Sequence, residues 1–369
     1  MDSFGLKRKF GFGCMRLPMI GEDVDIEQTK EMVDLFLKEG FDYFDTAHGY
    51  IQGKSEKALK ECLTFRYPRD RYFLANKLTA PYFATEKDVR PFFDSQLELC
   101  GVKYFDFYLM HAQNRKNFEH FKACRAYETA FDLKREGKIR HVGLSFHDTA
   151  QTLENILNTY PEVEFVQLQF NYLDYNDVAV QSKLCYETCV RHGKPVIVME
   201  PIKGGSLINL PSLALDEIKE VGVSPANLAL RFAASPENVF MVLSGMSTLG
   251  QMKENVSFMK DFEPLTERER EATEKVAAII KSKNLIPCTA CRYCVEGCPK
   301  NISIPDLFSL LNSKRHFNNW NADFYYNTVH TLNKGKASDC IKCGKCENIC
   351  PQGLKIRELL VEVAGEFEK

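Results

Sequence analysis

Through residue 260 the chain alternates between two patterns. Continuous apolar runs give way to stretches whose apolar positions recur at helical spacing, and eight such runs occur: KFGFGCM, FDYFD, YFLANK, FDFYLMH, HVGLS, FVQLQF, VIVME and VFMVLS. Runs apolar throughout, rather than at every second position, read as strands buried on both faces, as in a parallel sheet. The segments between them carry helix punctuation. DIEQTKEMVDLFLKEG has a cap at Asp25, Gln28 three residues on, and a stop at Gly40. DVRPFFDSQLELCG stops at Gly101, FKACRAYETAFDLKREG reads as one helix stopping at Gly137, and SPANLALRFAAS opens on Ser224 with Pro225 at its first turn.

Eight strand–helix units in this length predict an α/β fold, the (β/α)8 TIM barrel. An open doubly wound sheet is the alternative, but the early GFGCMRLP lacks the G-x-G-x-x-G turn of that class. After Lys260 the pattern changes: LTEREREATEKVAAIIKSK predicts a long charged helix capped by Thr266. From there the chain becomes cysteine-rich, with further helical stretches such as IPDLFSLLNSKRHF. Two domains are therefore expected: 1–284, the barrel, and 285–369, a mainly helical ferredoxin-like domain.

Composition removes some functions. The net charge of −2 gives no global argument for nucleic acid or a membrane surface as partner. No apolar run reaches the ~18 residues of a membrane span, and MDSFGLKRKFGFG carries no signal-peptide core, so a cytoplasmic protein is expected. Of fourteen cysteines, eight lie between Cys288 and Cys350. In a reducing compartment such clustering points to metal or redox chemistry rather than disulfides.

In a barrel of this kind the active site lies where the strands end in the carboxyl direction. FDYFD ends in Asp45, with Tyr50 a turn beyond; YFLANK ends in Lys77, FDFYLMH in His111 and VIVME in Glu200. A lone residue of this type is usually solvated or internally satisfied; three successive strands ending so are harder to assign to packing. A phenol with a pKa near ~10 is a poor acid at neutral pH. Lys77 beside Tyr50 would lower that value, Asp45 would hold Lys77 charged, and His111 would donate a hydrogen bond to a carbonyl oxygen. The set suits proton delivery to a carbonyl as hydride reaches its carbon.

These residues carry a resemblance. FDTAHGY followed by KSEKALKECL resembles the aldo-keto reductase segment around its catalytic Asp and Tyr. LANKL and FDFYLMH resemble the lysine and histidine segments of that family, and GKIRHVGLS and FVQLQFNYL its nicotinamide-contacting segments. The resemblance runs in order over residues 5–260. It implies Tyr50 as acid, Lys77 and Asp45 as its tuning pair, His111 as donor to a small carbonyl or alcohol substrate, and Ser145 and Gln167 as holders of the nicotinamide carboxamide. Phe146 replaces a frequent Asn, and Met199 stands where a Tyr commonly stacks on the nicotinamide. LSGMSTLGQMKENV resembles the adenosine-phosphate segment, with Glu254 and Asn255 in place. The Lys and Arg that many members offer the 2′-phosphate correspond to Gly245 and Gln251, which leaves NADP and NAD both open. Gly204, Gly205 and Ser206 in KGGSL suit phosphate and would suit a flavin as well. His48, His147 and Glu200 are further pocket candidates, with a structural role as the alternative for each.

The cysteines fall into two equal motifs: Cys288-x2-Cys291-x2-Cys294-x3-Cys298-Pro299 and Cys340-x2-Cys343-x2-Cys346-x3-Cys350-Pro351. Each matches the bacterial ferredoxin run, in which the fourth cysteine serves the other cluster. On that pattern Cys288, Cys291, Cys294 and Cys350 hold one [4Fe-4S] cluster, and Cys340, Cys343, Cys346 and Cys298 the other. Structural zinc would show two separated pairs instead. The helical insert between the motifs resembles the helical ferredoxin domains of succinate dehydrogenase and heterodisulfide reductase; Trp320, Phe324, Tyr325 and Tyr326 are expected in its core. The expected function is a nicotinamide-dependent oxidoreductase with two clusters. Hydride carries two electrons and a cluster one, so direct exchange needs a converter such as a flavin. Three arrangements stay open: clusters apart from the hydride chemistry, a flavin in the barrel, or clusters serving an unusual substrate. The alternative class is an electron-transfer protein, served by a redox partner protein, whose barrel uses no NAD(P)H.

Overall fold

A computed structural model describes residues 4–282, 286–317 and 320–369. Eight parallel strands close into one barrel in chain order: β1 (Phe10–Gly13), β2 (Tyr43–Asp45), β3 (Phe73–Leu78), β4 (Phe105–Gln113), β5 (Ile139–Phe146), β6 (Phe165–Gln169), β7 (Val196–Met199) and β8 (Val239–Ser244), with β8 returning to β1. All eight apolar runs supply a strand, and the open-sheet alternative falls away. A short antiparallel pair, Met19–Ile20 with Asp23–Val24, precedes the first helix.

The helix starts follow the sequence punctuation. Asp25 accepts a hydrogen bond from the Gln28 backbone at 3.0 Å and opens α1 (Ile26–Lys38). Ser224 caps the helix Pro225–Ala234, and Thr266 exchanges bonds with Glu269 at the head of Glu267–Ser282. One expectation is corrected. The segment read as a single helix up to Gly137 is two, Arg115–Ala123 and Ala126–Arg135. Arg125 takes a left-handed φ of 48° between them, so the break carries neither glycine nor proline and could not be seen in the pattern.

Inside the barrel, large rings face small residues. A Cβ on Gly143 of β5 would lie 2.4 Å from the Phe165 ring of β6, so any side chain there would displace a fully buried phenyl. Tyr43, Phe107, Phe165 and Ile197 fill this interior below the rim. The outer core lies between strands and helices, around Phe36, Phe93, Tyr108 and Tyr127.

The expected boundary at 284 and 285 falls outside the described residues. Beyond it lie helices Ile304–Phe317, Trp320–Tyr325 and Ile356–Phe367, with the cysteine loops between them. Their core holds Leu307, Phe308, Leu311, Tyr325, Tyr326 and Val363. Tyr326 stacks on Phe367 with centroids 4.6 Å apart. Trp320, expected in that core, is 52% exposed. It opens its short helix on the outer side, while Phe324 and Tyr325 of the same helix meet the barrel. Among the described residues no helix is long and apolar enough to cross a membrane.

Candidate active site and cysteine cavities

Strand register places the polar residues on one rim. Asp45 ends β2 beside Ala75 of β3, and Lys77 of β3 pairs with Leu109 of β4, two residues before His111. Lys77 Nζ lies 2.5 Å from Asp45 Oδ1 and donates to the Thr46 carbonyl at 2.8 Å, with Lys77 fully buried. The same ammonium sits 4.9 Å from the centroid of the Tyr50 ring, and that ring lies 6.1 Å from the His111 ring. Tyr50 opens a tight turn in which Ile51 and Gln52 both take positive φ, which turns the phenol back over the rim. The four residues are thus brought together.

Burial disfavours the Lys77 ammonium, but Asp45 and then the Tyr50 oxygen outweigh it and hold its pKa above the ordinary value. Burial alone pushes the Asp45 carboxyl up, and the ammonium in contact with it counters that; on this geometry the pair is ionised. The expectation for Tyr50 needs correcting. Lys77 does pull its pKa down, yet burial is larger and holds the phenol above its ordinary value. Burial, then Lys77, then His147 hold His111 well below the usual imidazole range, so the ring is neutral. Its Nδ1 lies 2.8 Å from Thr79 Oγ1. Thr79, two residues past Lys77, was not singled out in the sequence; only its place at the strand end could have suggested it.

The residues expected to contact nicotinamide also gather on the rim. Ser145 of β5 pairs with Gln167 of β6, and Ser145 Oγ accepts from the Ala112 backbone at 2.8 Å. Gln167 Nε2 lies 3.4 Å from the Met199 sulfur, and Gln167 Oε1 is buried without a partner among the described residues. Gly204 and Gly205 form a turn with φ of 64° and 101° and Ser206 follows it, while Gly245 comes directly after β8. The remaining phosphate candidates are engaged within the chain. Gln251 Oε1 accepts from Ser247, Glu254 accepts from the Ser224 hydroxyl at 2.7 Å, and buried Asn255 lies 3.4 Å from Ser244 Oγ. Of the further pocket candidates, His48 pairs with buried Glu56 at 2.7 Å.

The C-terminal helices reach this rim. Asn321 Nδ2 donates to both oxygens of Glu200, at 2.6 and 2.7 Å, and lies 3.3 Å from Gln169 Oε1. Burial raises the Glu200 carboxyl, with the Asn321 amide opposing. His147, after β5, meets Phe324 and Tyr325 at ring distances of 5.4 and 6.4 Å, and its Nδ1 is buried without a partner among the described residues. His330 bonds the Ala179 carbonyl at 3.0 Å and Ser309 donates to Asp177 at 2.7 Å. None of these tail contacts had a sequence signal, since each joins positions more than a hundred residues apart.

His147 supplies a pH test. Burial lowers its pKa to about 4. Between pH 6.5 and about 4 the unfolded chain takes up a proton that the folded chain refuses, so stability falls as pH falls through that window and is fully present above it. His147→Phe should lose about 2–3 kcal/mol of this acid sensitivity, read as the difference in thermal midpoint between the two proteins from pH 7 to 4.5. Equal slopes would show that the ring is free to charge.

The eight clustered cysteines line two small cavities. Cys288, Cys291, Cys294 and Cys350 line one, and Cys298, Cys340, Cys343 and Cys346 the other. Each cavity therefore takes three thiols from one loop and one from the other. Ile304 borders both. Among the described residues no three of the His, Cys, Asp and Glu side chains converge on a single-ion site. The other six cysteines are buried and scattered.

Comparison with known proteins accords with this division. The sequence profile of the aldo/keto reductase family matches residues 9–278, and that of a 4Fe-4S dicluster domain matches residues 287–354. The chain is 26% identical over 307 residues to L-galactose dehydrogenase of Arabidopsis thaliana, covering 77% of this chain and 95% of that protein. It is 25% identical over 264 residues to the 9,11-endoperoxide prostaglandin H2 reductase of Trypanosoma cruzi, covering 69% and 86%. Among solved structures, an aldo-keto reductase from Klebsiella pneumoniae in complex with NADPH superposes with a TM-score of 0.60 at 18% identity, over 73% of this chain and 90% of that one; this likeness concerns the fold. By the match over most of its length, the chain belongs to the aldo/keto reductase family of oxidoreductases, with a 4Fe-4S dicluster domain at its C-terminal end.

Proposed function

We propose that the barrel reduces a small carbonyl compound, or oxidises the matching alcohol, with NADPH or NADH, and that the tail holds two [4Fe-4S] clusters. The observation that carries the first part is the contact of Lys77 with Asp45 under the Tyr50 ring, facing a neutral His111. Reduced nicotinamide, when bound, supplies hydride. The residues fit it: the orphaned Gln167 Oε1 suits the N–H of a carboxamide, and the Ser145 hydroxyl keeps its hydrogen for the carboxamide oxygen.

Tyr50 gives its proton to the substrate oxygen. Lys77 stabilises the phenolate left behind, and Asp45 keeps the ammonium charged and in place. In the tautomer with its hydrogen on Nε2, His111 accepts from Thr79 on Nδ1 and donates to the same oxygen.

For the tail, four thiols ringing a cavity suit a cuboidal cluster better than a single zinc ion. Such clusters supply one-electron storage. No flavin is called for by the barrel residues described, and the clusters stand apart from the hydride step, joined to the rim through Asn321 and His330. The function is tested with anaerobically purified protein, NADPH deuterated at the transferable position and a panel of small aldehydes and ketones. Deuterium should appear on the carbinol carbon of the product. Turnover driven only by a one-electron donor, with no deuterium transferred, would overturn the reading and favour the electron-transfer alternative.

A further inference from the structure

The family positions for a phosphate-binding cation are empty of charge here, being Gly245 and Gln251. The loops after β7 and β8 nevertheless hold a cation that comes from elsewhere. Arg16, in the turn after β1, lies across both. Its Cβ, Cγ and Cδ run within 3.1–3.3 Å of where a Cβ on Gly245 would stand. Its Nη2 ends 3.2 Å from where a Cβ on Gly204 would stand. Any side chain at either glycine would therefore crowd the arginine, and Gly204 in addition takes a φ of 64°, which glycine adopts without strain. The backbone on the arginine side is tied in place, because Ser247 Oγ donates to the Arg16 carbonyl at 2.9 Å.

The neighbouring charges are already satisfied. Lys203 is buried and paired with Asp174 at 2.6 Å, so it offers nothing to a ligand. Glu200 has both oxygens taken by Asn321, and Arg16 acts on it only through space, by its charge. The Arg16 guanidinium, exposed, has no hydrogen bond or ion pair among the described residues. A planar cation with paired donors, laid between two loops at the place where this fold binds phosphate, matches a diphosphate.

We propose that Arg16 clamps the diphosphate bridge of the dinucleotide. This rests on the nicotinamide reading above. The diphosphate, rather than the 2′-phosphate, is the target because the guanidinium tip lies at Gly204, after β7. Gln251, at the family's 2′-phosphate position, has its carboxamide oxygen bonded to Ser247. NADH and NADPH share the diphosphate, so Arg16 serves both.

The experiment is calorimetric titration of the full, anaerobically prepared protein with NADH and with NADPH, for wild type, Arg16→Met and Arg16→Lys. Methionine keeps an aliphatic stem over Gly245 and removes only the charge and its donors. Arg16→Met should raise both dissociation constants by ~10–100-fold, and Arg16→Lys should recover part of the loss. Unchanged thermal midpoints and cluster absorption would show that the variants are folded. Wild-type binding matched by undiminished binding in Arg16→Met would overturn the Arg16 assignment alone. Weakening of NADPH only would move the guanidinium to the 2′-phosphate and overturn the diphosphate clamp. Failure of the wild type to bind either nucleotide would overturn the nicotinamide reading, and the clamp with it.

Discussion

Tyr50→Phe should lower the turnover number for carbonyl reduction by ~10²–10⁴-fold while leaving nucleotide affinity unchanged. The substitution deletes one oxygen and keeps the ring over Lys77 Nζ at 4.9 Å, so the loss reports the hydroxyl, with its proton and its hydrogen bond to Lys77. Unchanged turnover would remove Tyr50 from the acid role. Lys77→Met makes the contrast. It deletes one member of a fully buried ion pair and leaves the Asp45 carboxylate without its cation, which costs about 3–5 kcal/mol of stability in addition to activity. A Tyr50 variant of wild-type stability beside a destabilised Lys77 variant would separate chemistry from architecture. Both are read by steady-state kinetics and thermal unfolding.

The second large effect concerns the crossing of the cysteine loops. Cys350→Ser should remove about half of the roughly eight iron atoms expected for two four-iron clusters. The half lost should be that of the Cys288 loop, although Cys350 lies in the other motif. Pairwise variants identify it. Cys291→Ser combined with Cys350→Ser should lose no more iron than either alone, because both thiols line one cavity. Cys343→Ser combined with Cys350→Ser should lose nearly all of it. The opposite pattern, with Cys343 and Cys350 behaving as one unit, would show that each motif holds its own cluster. Iron analysis and electron paramagnetic resonance of the reduced proteins give the readout.

How much of this could be read from the sequence follows from the range of the interactions. Strands buried on both faces leave continuous apolar runs, so all eight were visible, and the residue ending a run marks the rim wherever the strand is straight. Asp45, Lys77 and His111 were found that way. The ion pair between Asp45 and Lys77 needed only neighbouring strands. The direction of the Tyr50 shift was misread because burial cannot be seen in a string of letters, while an adjacent cation can. The break at Arg125 was missed because an arginine entered left-handed space without the usual marker. Arg16 and Asn321 were missed for a simpler reason: each lies beside a partner brought close by the closure of the barrel or the folding-over of the tail. Trp320 was assigned to a core on size alone, and a single helix turned its side chain outward while carrying Phe324 and Tyr325 inward.

The Asn321 amide fastens a carboxylate of the barrel mouth to a helix that belongs to the cysteine domain. Residues 304–330 also supply Ser309 and His330 to the loop after β6. Air that strips iron from the thiols would loosen the helices packed around them, and Glu200, Gln169 and His147 would lose their covering. If the tail holds the two clusters proposed above, the hydride site inherits the oxygen tolerance of its neighbour through these contacts. A loss of carbonyl reduction in aerated samples is therefore expected from lost mechanical support even with no electron passing between the clusters and the substrate.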